Sequence, residues 1–204
     1  MKSIRVTLVI AFAMVVLAAG AAFAAEKVIK DPAEYNAYIS ALNMQDPTQK
    51  GAAMEAFFAE YPGSVVKIDA LEQAMAAYQQ SGNQAKVEHL ANLILQHDPG
   101  KVRALAIAVY FQRIRATQGD PEAVKKLRVN GEKGLGAVRN WSRPDGVTDE
   151  DFGRLRKQMT AIFAGAAGFA ALQNKDYATA RGYYEKSIEM DPSNLQDVYQ
   201  LAIA

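Results

Sequence analysis

The sequence predicts an all-α chain built of antiparallel helix pairs, and three observations carry that prediction. No stretch alternates apolar and polar residues over a strand's length between turn signals, so no strand is expected. Five of the seven prolines follow aspartate, at Asp31-Pro32, Asp46-Pro47, Asp98-Pro99, Asp120-Pro121 and Asp191-Pro192. Aspartate accepts from the free N–H groups of a helix start, and proline at the first helical position gives up a donor that has no partner there. Finally, residues 161–194 carry small side chains, Gly168 and Ala180, and aromatic ones, Tyr177 and Tyr184, on two helical stretches that meet at Asp176-Tyr177.

Taken in order, these signals predict helices over 32–43, 47–60, 65–80, 84–96, 101–117, 121–139, 149–173, 177–189 and from 195 to the end. Asp31 with Glu34 and Asp46 with Gln49 have the spacing of capping boxes. Asp98-Pro99 and Asp191-Pro192 end one helix pair and open the next, because proline cannot continue the preceding helix. The helix over 121–139 contains Gly131, Gly134 and Gly136. Each internal glycine costs up to about 1 kcal/mol relative to alanine, so this helix is expected to be broken or close-packed. Residues 140–148 form the long turn-rich break, after which Thr148 with Asp151 caps the next helix.

The hairpin over 161–194 resembles a tetratricopeptide repeat, a helix–turn–helix unit of about 34 residues. Gly168 takes its small eighth position, Ala180 the twentieth and Tyr184 the twenty-fourth, with Asp191-Pro192 closing the unit. The resemblance implies that Gly168 and Ala180 face each other where the helices cross, and that Tyr177 and Tyr184 fill the gap to the next helix. Residues 68–99 fit the spacing less well: Met75 and Val87 stand in the two small positions, so this pair should be more widely spaced. Residues 35–63, with Phe57, Phe58, Tyr61 and Pro62, look like an earlier unit, and 102–140 departs most. The implied fold is a tetratricopeptide-like right-handed superhelix, an α-solenoid. Residues 195–204 read as the first helix of a further unit, packed on the helix of Tyr183 and Tyr184 with one face of Val198, Leu201 and Ile203 uncovered. The domain over 25–204 is therefore expected to be truncated at its C-terminal end and to self-associate weakly.

Lys2 and Arg5, the uncharged run from Val6 to Ala21 and Ala22-Phe23-Ala24 make residues 1–24 a secretory signal peptide with cleavage before Ala25. The exported protein is then expected in the periplasm or secreted; the alternative is an uncleaved anchor in a bacterial inner membrane, facing the periplasm. The chain has no cysteine, so neither disulfides nor thiolate metal sites contribute. Net charge is +1 overall, but residues 101–143 carry ten basic and three acidic side chains between two acidic segments. These are either solvated helix faces or a docking surface for an acidic partner. The basic residues are dispersed, which argues against nucleic acid.

Catalytic patterns are scarce. His89 and His97 lack metal-pair spacing, and His97 reads as a charge placed against a helix C-terminus. The glycines at 131, 134 and 136 lack the lysine ending of a phosphate loop. No cofactor and no enzyme activity are expected. In tetratricopeptide repeats the first helix of each unit lines the concave face. That resemblance implies partner-binding roles for Glu72 and Gln79, for Tyr110 and Arg113, and for Phe169 and Gln173, with Arg103, Ile162 and Gly165 at further lining positions. The lysine and asparagine of the family's peptide-carboxylate clamp are replaced by Glu72 and Ala76. Trp141, the single tryptophan, is either a plug over the junction of the third and fourth units or an exposed anchor for a partner. The implied function is a non-catalytic scaffold that binds a protein or peptide through its concave face. The alternative is a glycan- or cell-wall-binding helical module associated with envelope enzymes.

Overall fold

The computed structural model describes residues 27–144 and 146–204, so the signal-peptide reading of residues 1–24 lies outside the described residues. The described residues form nine helices and no strand. They are α1 Pro32–Leu42, α2 Pro47–Glu60, α3 Lys67–Gln80, α4 Gln84–His97, α5 Val102–Thr117, α6 Pro121–Arg139, α7 Asp149–Gln173, α8 Tyr177–Met190 and α9 Leu195–Ile203. Among them no helix is long and apolar enough to cross a membrane.

Aspartate followed by proline caps three of the starts. Asp31 accepts from the N–H groups of Ala33 and Glu34, Asp46 from Gln49, and Asp120 from Glu122 and Ala123, each with proline next in the chain. Asp98 and Asp191 instead end α4 and α8, and α9 is capped by Asn194, which accepts from Asp197 N–H. Thr148 caps α7 through Asp151.

One turn recurs three times. Gly82 after α3, Gly119 after α5 and Lys175 after α7 all have positive φ, 75°, 89° and 60°. In each case the next residue donates its N–H to the carbonyl five residues back: Asn83 to Tyr78, Asp120 to Arg115 and Asp176 to Ala171. This is the helix-ending bond that a left-handed residue permits. The same three residues, Asn83, Asp120 and Asp176, then cap the following helix. Helix end and helix start are thus welded into one unit at equivalent places along the chain.

Each helix packs on the next, and α5 also touches α7. The core is a seam rather than a single cluster. Its first part joins α1 to α5 through Met54, Leu71, Met75, Leu90 and Ile94. Its second joins α5 to α8 through Leu105, Leu127, Met159 and Phe163, and Leu95 packs against both parts.

The α6 glycines do not break the helix; they let it pack. A Cβ on Gly131 would lie 3.0 Å from the Phe163 carbonyl, and one on Gly134 would enter the Phe163 ring at 2.3 Å. Gly136 faces open space.

The atoms nearest a Cβ on Gly168 belong to Tyr183 and Tyr184, and Ala180 clusters with Ala171 and Tyr184, so both small residues pack against the Tyr184 side chain. Two expectations need correction. Tyr184 is fully buried and fills the gap, whereas Tyr177 is 49% exposed at the start of α8 and does not. In α9, Leu201 is half-buried against Ala171, Ala180 and Tyr184, so the exposed stripe is Leu195, Val198, Tyr199 and Ile203 without Leu201.

Candidate functional site

Two constellations gather side chains from separate helix pairs. The first is a buried polar network at the C-terminal end. Asp197, in the first turn of α9, is 1% exposed. Asn194 donates to its Oδ2 at 3.0 Å and Ser187 at 2.6 Å; the Ser187 hydroxyl also lies 3.1 Å from the Ala161 carbonyl. Arg113 of α5 reaches across to Asp197 Oδ1 at 3.4 Å, and on the way its guanidinium sits 5.1 Å from the centroid of the Phe169 ring of α7. Gly165 makes room for the carboxylate: a Cβ there would lie 2.3 Å from Asp197 Oδ2. Burying a carboxylate is costly unless it is paired and hydrogen-bonded, and three helices supply those partners. The Tyr184 hydroxyl is buried beside this network without a hydrogen-bond partner among the described residues. Burial raises its pKa, with Arg113 opposing and Asp197 adding to the shift.

The second is a cavity of about 250 Å³ lined by Glu72 of α3, Lys101, Val102 and Arg103 at the start of α5, and Trp141 and Pro144 of the α6–α7 loop. Lys101 donates to Glu72 at 3.2 Å, with both side chains less than one-third exposed. Burial lowers the Arg103 pKa, and Glu72 partly restores it. Trp141 is half-buried against the second part of the core, its ring edge-on to Phe152 at 5.3 Å. Arg156 in turn lies over the Phe152 ring at 5.8 Å. Trp141 therefore both covers the junction of α5, α6 and α7 and walls the cavity.

The residues singled out in the sequence fall into place unevenly. Glu72 and Trp141 come together in the cavity, and Arg113 and Phe169 in the polar network. Phe169 is 5% exposed, so it supports the Arg113 guanidinium rather than offering a free surface. Tyr110 is 41% exposed, edge-on to Phe111, with Ile114 exposed one turn on. Gln79 is half-buried on α3, and Gln173 is exposed at the last position of α7; neither joins the two constellations. His97 lies in the last turn of α4, where its ring meets Phe58 edge-on at 5.5 Å.

Sequence reasoning passed over Lys101, Ser187, Asn194 and Asp197. The Asn194-x-x-Asp197 spacing after Asp191-Pro192 was the available signal, since a short polar cap there displaces aspartate as the helix start. Among the described residues, no group of three or more acidic or histidine side chains is arranged to hold a metal ion. No protein-family model matches the chain, and no curated protein matches it.

Proposed function

We propose that the chain is a tetratricopeptide-like solenoid, a right-handed superhelix of helix pairs, exported to the bacterial periplasm as a non-catalytic scaffold that binds a protein or peptide. The observation that carries this reading is the Arg113 bridge. A single side chain of α5 touches α7 and α9, so three helices that each open a pair share one point of contact. A face shared by such helices is what a repeat array offers a partner. The left-handed turns at Gly82, Gly119 and Lys175 add support, since they repeat the joint within three pairs, α3–α4, α5–α6 and α7–α8.

On this reading Tyr110, Ile114 and Gln173 are exposed contacts on the first helices, and Glu72, Arg103 and Trp141 close one end of the face. Arg113 and Phe169 hold the face together. Export rests on the residue pattern of 1–24.

The test is affinity capture from bacterial envelope extracts with the full mature chain. A defined partner should be retained by the wild type and by Lys125→Ala, which alters the exposed side of α6. Tyr110→Ala and Gln173→Ala should release it. Retention unaffected by Tyr110→Ala and Gln173→Ala contradicts binding through the first-helix face.

A further inference from the structure

We propose that the cavity between α3, the start of α5 and the α6–α7 loop takes an internal aspartate or glutamate side chain of an extended peptide, with an apolar neighbour of that residue resting on Trp141. The inference rests on the scaffold reading and names the chemistry of its partner.

Four observations carry it. The cavity is small: about 250 Å³ falls below the roughly 300–1,000 Å³ of pockets for drug-sized ligands, and matches one side chain in size. Its walls divide by chemistry, with Trp141, Val102 and Pro144 apolar, and Lys101, Arg103 and Glu72 charged. Its charged wall holds two cations and one carboxylate, and Glu72 already engages Lys101 at 3.2 Å. A second carboxylate entering there meets Lys101 as a donor with further N–H bonds to give, because an ammonium group has three. The segment that supplies Lys101, Arg103 and Trp141 is basic overall, with ten basic side chains against three acidic ones over residues 101–143.

Burial also matters. Arg103 has its pKa lowered by desolvation, which means that an anion brought close stabilises its charged form. Charge-assisted hydrogen bonds in such partly desolvated places are stronger than at an open surface. Glu72 is then a brake: it already engages Lys101 and its negative charge opposes a second carboxylate beside it, which lowers the affinity.

Trp141 is the only tryptophan of the chain, so its fluorescence reports on its own surroundings, the cavity wall among them. The experiment titrates the full mature chain with N-acetylated, C-amidated hexapeptides that carry one glutamate beside a leucine. Counterparts with glutamine or lysine in place of the glutamate, an uncapped peptide lacking acidic side chains, and a chitooligosaccharide complete the set. The glutamate peptide should shift Trp141 emission saturably. The glutamine peptide should bind about tenfold more weakly, the factor that corresponds to one charge-assisted contact.

The variants give the signature. Glu72→Gln removes the brake and should tighten the glutamate peptide severalfold, whereas Lys101→Gln should weaken it by a similar factor. Loss of a polar group that merely lines a site would weaken binding in both. Equal responses to the glutamate and glutamine peptides, or weaker binding in Glu72→Gln, overturn the inference while leaving the scaffold reading standing. So does a response confined to the peptide with a free C-terminus. Saturable binding of the chitooligosaccharide in place of all peptides overturns both.

Discussion

The pairs α3–α4 and α7–α8 meet the same packing demand with opposite side chains. In α3–α4 the crossing is filled by Met75 and Val87, both buried to 1% exposure or less. In α7–α8 the small residues Gly168 and Ala180 both pack against Tyr184, and the backbones run close together over a greater length than those of α3 and α4. The first pair is expected to be held apart by its own side chains; in the second the Tyr183 and Tyr184 side chains lie against Gly168. Interiors are packed to nearly uniform density, so the size of one or two residues sets how closely such helices approach.

That comparison can be broken most forcefully by exchanging its terms. Met75→Ala should open a cavity in the first pair and lower stability by about 2–5 kcal/mol. Gly168→Leu should instead overpack the second, where a first side-chain carbon already meets Tyr184 Cε1 at 3.1 Å, at a cost of about 1–3 kcal/mol. Thermal or urea unfolding measures both. Tolerance of leucine at 168 would mean that the α7–α8 approach is set elsewhere.

A finer cut compares neighbours within α8. Ala180 is fully buried and Thr179 is half-buried. Ala180→Leu should lower the melting temperature clearly, by about 1–3 kcal/mol in overpacking, and Thr179→Leu should lower it much less. Equal losses would place the crossing at another register.

The first pair also carries its own titratable signature. Tyr78 donates to Glu55 at 2.7 Å, and Lys86 pairs with the same carboxylate at 3.0 Å. Burial first, then the hydrogen bond and the charge of Glu55, push Tyr78 up to about 12. A tyrosine whose folded pKa lies above its unfolded value, about 10, holds its proton longer in the native state. Its contribution to stability is complete below pH 10 and is lost as pH rises toward 12. Denaturation midpoints between pH 9 and 12 should therefore fall less steeply in Tyr78→Phe than in the wild type. Parallel slopes would show that other tyrosines govern alkaline unfolding.

The smallest effect concerns a glycine with no packing role. Gly136 faces open space inside α6, so Gly136→Ala should stabilise the chain by up to about 1 kcal/mol. Gly134→Ala should destabilise it, because the added carbon meets the Phe163 ring. A rise in melting temperature for both would mean that α6 and α7 can separate without loss.

Most helices were legible because their starts are written in short polar caps, three of them followed by proline, a local signal. α3 shows the limit: it begins at Lys67, with Val66 as a cap that makes no side-chain hydrogen bond, and the expected start at 65 had nothing to anchor it. Trp141 was singled out as a loop residue, but the cavity beside it joins positions from three parts of the chain, and no periodicity links them. The Arg113–Asp197 contact spans 84 residues. Asp197 looked like an ordinary acidic residue in a first helical turn, and only the fold brings Gly165 opposite it to leave the space it needs. Phe169 was chosen for a surface role by register alone, and the guanidinium above it explains why it is buried.

The central claim is that the first helices present a binding face. It is tested most directly by placing a photo-crosslinking amino acid at position 110 on α5 and, separately, at position 125 on α6, in the full protein expressed in a bacterial envelope. Irradiation should give one defined covalent adduct from position 110 and none from position 125. Identical adducts from the two positions, or an adduct from position 125 alone, would contradict the account.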